Sequence, residues 1–315
     1  MKLLLLLAMT FSLPLLSAAT NQTRDGFWLD LVEGEEATDD AVLADLASAG
    51  VIYLGETHTI ARHHAIQLHV LESLASRGLP LALCLEQLEV RDQPAVDRYN
   101  HREIDYDTLV KDIGWAKKWT NYAAYRPLCE FAREHGIPLR ALNAPSEVIR
   151  AISRGGGLAK LSADQRAMVP TEIVTDDPAY EHMMNLQLAV HMAMDPAKLR
   201  SVFEAQVARD ETMAAAIVAA RRVTTAPDKL RTAVVIVGAG HLRHGLGTAD
   251  RVRRRDPGIV ERIVLMTESG QLELTAAEKA ASREITITHA QLREVGRPPG
   301  DYLHVLPVAN APKAK

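Results

Sequence analysis

The chain has 315 residues, 47 % of them hydrophobic and 24 % charged, with a net charge of −4. That length suits one large domain or two small ones with a sizeable core. Both signs of charge are mixed along the chain, so the basic footprint of a nucleic-acid binder is missing and that class is excluded.

The N-terminus carries one cation, Lys2, then an apolar run from Leu3 to Leu16, closed by Ser17, Ala18 and Ala19. A charged end, a short apolar core and a small-residue exit are the parts of a secretory leader. The run is about 14 residues, whereas a bilayer span takes roughly 20. The reading is a cleaved signal peptide over residues 1–19 and a periplasmic or secreted protein over 20–315. No cysteine follows the run to be lipidated. The cysteines, Cys84 and Cys129, lie in apolar contexts (LALCLEQ and RPLCEFA) that suit buried free thiols, with a disulfide as the alternative.

Short β-branched or apolar runs appear at Val51–Gly55, Leu81–Leu85, Leu139–Leu142, Ala233–Val237 and Ile263–Met266. Between the first three lie helical patterns. Ala61–Arg77 repeats Ile66, Val70 and Leu74 before Gly78 and Pro80, and Tyr122–His135 stops at Gly136 and Pro138. Strand–helix–strand alternation predicts an α/β fold with a mainly parallel central sheet flanked by helices. The stretch 146–222 breaks the rhythm and reads as a helical insertion over the sheet. Late strands are expected at Glu284–Thr288 and Tyr302–Val308.

Each strand runs directly into polar residues: Glu56 and His58, Glu86 and Gln87, Asn143, and Gly238 to His241. In a parallel sheet these points share one edge, where ligands bind. The pattern Gly-x-x-His occurs twice at strand ends, as GETH and GAGH. Imidazole with carboxylate suits Zn, Mn or Fe, so His58, His241, Glu56 and Glu86 form a candidate metal set. The bland alternative is that each histidine satisfies a turn. In the helix from Phe203, Gln206 and Asp210 interrupt an apolar stripe and need polar partners, for which the strand-end cluster is the expected place. Tyr180, Met183, Met184, Gln187, His191 and Met194 form one helical face; such side chains can ligate haem iron, and such faces are also ordinary core. His63, His64 and Gln67 could line the same crevice; His69 stands nearby. There is no Gly-x-Ser-x-Gly elbow and no Walker loop.

Taken together, LGETHTIARHH (Leu54–His64), LEQLEVRDQPAVDRY (Leu85–Tyr99), YRPLCEFARE (Tyr125–Glu134), ALNAP (Ala141–Pro145), AQVARDETMA (Ala205–Ala214) and VGAGHLRHGLG (Val237–Gly247) resemble the ChaN-like haem-binding uptake proteins. Those are relatives of the Tiki, TraB and erythromycin-esterase hydrolases. The resemblance implies an α/β fold with an appended helical part and a role in haem iron uptake, with an outer-membrane haem receptor or transporter as partner. It also implies two stacked haems between the subunits of a homodimer, a tyrosine on each iron and basic side chains on the propionates. No motif fixes that tyrosine. Tyr180 is one choice, with Met184 and His191 on its face but no cation adjoining it in sequence. Tyr125 is the other, with Arg126 beside it to favour a phenolate. The hydrolase relatives share the Gly-x-x-His pair, so a metal-dependent hydrolase is the alternative. Its catalytic set would be Glu56, His58, Glu86, Asn143, Gln206, Asp210 and His241. A third option keeps these residues only as a hydrogen-bonded core.

Overall fold

The computed structural model describes residues 26–191, 196–222, 230–269 and 297–307. The predicted leader and the expected strand at Glu284–Thr288 lie outside the described residues. In chain order come β1 (Phe27–Asp30), β2 (Glu35–Ala37), α1 (Asp39–Leu46), β3 (Val51–Glu56), α2 (Ala61–Ser76) and β4 (Leu81–Glu89). Next are α3 (Gln93–Asn100), α4 (Tyr106–Ile113), α5 (Trp115–Lys118), α6 (Arg126–Glu134) and β5 (Leu139–Asn143). Then follow α7 (Ser146–Gly155), α8 (Ala163–Arg166), α9 (Pro178–His191), α10 (Pro196–Arg222), β6 (Thr232–Gly238), α11 (Thr248–Arg255), β7 (Glu261–Ser269) and β8 (Tyr302–Pro307).

The described strands form one sheet in the order β2-β1-β8-β7-β3-β6-β4-β5. From β8 to β5 every neighbouring pair is parallel. The β2–β1 and β1–β8 pairs at one edge are antiparallel, so among the described strands β1 runs against the rest. The fold is therefore the mainly parallel α/β arrangement that the strand–helix alternation predicts. Strands covered by helices on both faces need apolar side chains on both faces. Every residue of β3 and β4 is buried accordingly.

Alternation along each strand divides the core into two layers. Ile52, Leu54, Leu83, Leu85, Val234 and Ile236 face one layer, where Ile66, Val70 and Leu74 of α2 pack. Val51, Tyr53, Ala82, Cys84, Val235 and Val237 face the other, against Met213, Ala214 and Ile217 of α10. Cys84 and Cys129 belong to opposite layers and both are free, which settles the open question of a disulfide. Burial pushes the Cys84 thiol up to about 12 and the Cys129 thiol higher still.

Two local details differ from the sequence reading. The expected helix Tyr122–His135 is a 3-10 turn, Tyr122–Tyr125, followed by α6 from Arg126. Pro127 explains the break: it has no N–H to donate, and the first helical turn is where that costs least. The strands β1 and β2 were not foreseen. They are short and half-exposed, and their pairing is set by β8, far along the chain. The stretch from Ser146 is helical through α10, which packs against α7, α11 and β5.

Candidate functional site

Parallel register brings the two Gly-x-x-His segments side by side. Within the β3–β6 pair, Glu56 stands opposite Gly238, and β4 flanks β6 on its other side. Gly238 has to be glycine here, because a Cβ would stand 2.8 Å from His58 Nε2. The absent side chain is what lets the His58 ring approach the end of β6.

Glu56 is a buried hub. One of its oxygens accepts from His58 Nδ1 at 2.8 Å, Tyr125 Oη at 2.5 Å and Gln87 Nε2 at 3.1 Å. The other accepts from Gln67 Nε2 at 2.6 Å and faces His64 Nδ1 at 3.2 Å. Burial opposes the charge, but the hydrogen bonds from His58, His64 and Tyr125 outweigh it and hold this carboxyl far below the usual range. His58 is raised above its ordinary value: burial works against the cation, and Glu56 and Glu86 overcome it.

The second hub is Glu86. It accepts from the Gly238 backbone N–H at 2.7 Å and faces His241 Nε2 at 3.4 Å and His58 Nε2 at 4.0 Å. Both imidazoles thus point at one carboxylate. Burial raises the Glu86 pKa, yet His241, His58 and the Gly238 N–H bring it down to about 2. Behind His241, Asp210 accepts from His241 Nδ1, Tyr180 Oη and Thr248 Oγ1, each at 2.7 Å. Two carboxylates bracket the ring, so despite burial His241 is raised to about 10 and carries a charge at neutral pH. Gln206 Nε2 lies 2.9 Å from the same Nδ1. The two residues that interrupt the apolar stripe of α10 therefore both meet His241.

Other residues named from the sequence lie elsewhere or serve differently. His63 Nδ1 accepts from the Thr57 N–H at 3.1 Å, and burial lowers its pKa to about 4, so this ring is neutral. His69 pairs with Asp39 at 2.8 Å, away from the cluster. Asn143 ends β5 in an adjoining cleft, beside Trp119 and Arg209. Met184 packs with Tyr180 and Phe203 in a small apolar cluster. His191 closes α9, and its side chain, like Met194, lies outside the described residues.

Tyr180 and Tyr125 are both fully buried, and each donates its hydroxyl to a carboxylate. Burial pushes both phenols far above the ordinary range, the opposite of what an iron-bound phenolate needs. Arg126 does not serve Tyr125: it pairs with Asp107 at 2.6 Å and Glu130 at 3.0 Å. The cation of Tyr180, invisible in its own neighbourhood, is Arg251, 5.1 Å from the ring centroid.

Three contributors escaped the sequence reading. Thr248 donates to Asp210 behind His241, whereas Gln87, already placed at its strand end by the sequence, donates to Glu56. Trp119 sets its ring edge-on to His58 with 4.8 Å between centroids, and Asn121 donates to the His58 carbonyl. None of the three carries a local signal in the sequence.

Among the described residues no group of three or more His, Cys, Asp and Glu is arranged to hold a metal ion. The Nδ1 atoms of His58 and His241 are engaged by Glu56 and Asp210, and both Nε2 atoms turn toward Glu86.

A sequence model described as haem-binding uptake, Tiki superfamily, ChaN, matches residues 42–252. Among solved structures, ChaN of Campylobacter jejuni with cofacially bound haem is similar over 89 % of this chain and 96 % of that one, with a TM-score of 0.64 and 16 % identity. An erythromycin esterase EreC mutant in its open conformation is similar over 89 % of this chain and 97 % of that one, with a TM-score of 0.46 and 12 % identity. Among curated proteins, RETICULATA-RELATED 5, a chloroplastic protein of Arabidopsis thaliana, is 24 % identical over 72 % of this chain. The chain spans only 32 % of the length of that relative. With the match running from α1 into α11 and taking in both Gly-x-x-His segments, the chain belongs to the ChaN haem-binding uptake family of the Tiki superfamily.

Proposed function

We propose that this protein binds haem at the outer rim of the strand-end site, with Tyr122 as the residue that meets the iron. The family supplies the ligand class, and one observation supplies the residue. Of the seven tyrosines, six are buried: Tyr53, Tyr99, Tyr106, Tyr125, Tyr180 and Tyr302. Tyr122 alone is partly exposed, its ring packed against the core, in the turn that follows Trp119 and Asn121 beside His58. Haem supplies an iron that takes a side-chain oxygen, and an accessible phenol is what the protein must offer it. Trp119 adds an aromatic surface for a flat apolar ligand, and Lys117 adds positive charge near the carboxylates such a ligand carries.

The charged end and short apolar run of residues 1–19 support export, and the cofacial haem of the Campylobacter relative supports a homodimer; exchange of haem with an outer-membrane receptor or transporter belongs to the same proposal. Haemin titration followed by visible absorption tests the site. Tyr122→Phe should abolish the tyrosinate-type band, while Tyr180→Phe and Tyr125→Phe retain it. An unchanged spectrum in Tyr122→Phe removes the assignment. Sedimentation with and without haemin tests the dimer.

A second reading rests on His58. It is one-third exposed and anchored by Glu56 at Nδ1, with Nε2 4.0 Å from Glu86. That is the geometry of a general base for hydrolysis without a metal. Its rate would rise with pH as His58, raised above its ordinary value, loses its proton, and would vanish in His58→Ala. A panel of activated esters showing no turnover above buffer would dispose of it.

A further inference from the structure

The cleft beside the histidine pair has a composition of its own. Its volume is about 380 Å³, and Lys117, Lys118, Arg150 and Arg209 line it against a single carboxylate, Glu89. That carboxylate is already spent. It accepts from the Ser146 N–H at 3.0 Å and pairs with Lys118 at 3.2 Å and Arg91 at 2.5 Å, which hold its pKa down against the effect of burial. Lys118 is shared further with Asp92 at 2.9 Å. Lys117, Arg150 and Arg209, by contrast, have no ion pair among the described residues, and Arg209 is half-buried. Three cations converging on a partly enclosed space without counter-charge repel one another and raise the potential there.

A second observation points to the same space. Asn143 is buried, lines this cleft, and its Oδ1 has no hydrogen-bond partner. A buried carbonyl left unpaired is costly, and a ligand donor would satisfy it. Trp119 forms one wall, and through that ring the cleft adjoins His58.

We infer that this cleft binds a small ligand presenting an oxyanion, phosphate or carboxylate, next to a hydroxyl donor. Arg150, Arg209 and Lys117 hold the anionic oxygens; Asn143 Oδ1 accepts from the hydroxyl; Trp119 covers the ligand on the side toward His58. Arginine suits such a site because its planar fork pairs with two oxygens at once. The inference needs no haem and stands whether or not Tyr122 meets an iron.

The test uses the full chain without haem, at constant ionic strength, with inorganic phosphate and malate as alternative probes and succinate as the hydroxyl-free comparison. Binding is read by tryptophan fluorescence and by thermal shift; Trp119→Phe should silence the first readout and, because Trp119 covers the ligand, weaken the binding seen in the second. Saturable binding of phosphate or of malate is expected, and the tighter of the two identifies the oxyanion. Arg209→Gln should raise the half-saturation about tenfold or more, as loss of one charge-assisted contact does. The exposed variant Lys117→Gln should raise it less and guards against misfolding of the first. Arg98→Gln, on a distant surface where Arg98 pairs with Asp112, should change nothing. The site is overturned if neither probe saturates, or if Arg209→Gln and Arg98→Gln respond alike. Succinate binding as tightly as malate overturns the role given to Asn143.

Discussion

Asp210 shows how much a single side chain carries. It accepts three hydrogen bonds while fully buried, and one of them holds a charged His241. Asp210→Asn puts an amide donor against these donors and leaves the imidazolium short of one counter-charge. It should cost about 3 kcal/mol of stability in urea unfolding. The sign of the pH effect follows from the His241 pKa, raised from 6.5 to about 10. The unfolded chain releases this proton first, so the stabilisation is complete below pH 6.5 and is lost as pH rises through 10. Wild-type stability should therefore fall over that window, and the fall should be shallower in Asp210→Asn. Asp210 and Gln206 were readable in the sequence because polar residues on an apolar helical face demand partners. The strand-end cluster was the expected place for those partners, and His241 is the member they meet. Tyr125 meets Glu56, and Arg251 meets Tyr180, through a fold that joins distant segments.

Among the elements, the central strands were legible because burial on both faces leaves an unbroken apolar run, as in β3, β4 and β6. The edge strands β1 and β2 have no such run, and the start of α6 was misplaced although Pro127 marks it. Where α2 and β8 approach, both contribute a buried histidine. Burial lowers His63 and His304 from 6.5 to about 4 each. Here the unfolded chain binds protons first on acidification. The contribution is present above pH 6.5 and is lost as pH falls through 4. Acid should therefore destabilise the protein by an uptake of about one proton per histidine between those limits. In His304→Phe, which keeps an aromatic ring against Trp28, the difference in urea midpoint between pH 7 and pH 4.5 should shrink. An unchanged difference would show that other groups govern the acid limb.

At the scale of the whole molecule, the sheet itself keeps Cys84 and Cys129 apart, one in each layer. A thiol reagent should label neither in the native protein and both after unfolding, with the same result under reducing and non-reducing preparation. Native labelling would mean that a layer opens. The family was legible from six segments spread along the chain, since each supplies a strand end or its covering helix. The tyrosine proposed to meet the iron was not, because exposure is a property of the assembled surface. Tyr122 stands out only once six other phenols are seen to be buried.

The neighbouring placement of β3 and β6 has one more effect. The two strands lie side by side, although β6 begins only at Thr232. A polypeptide growing from its N-terminus makes GETH early, yet lacks the wall against which His58 rests until most of its length has been synthesised. Nascent or proteolysed fragments ending before that point would be inert toward a ligand resting on that wall, so binding activity reports that the chain reaches through β6.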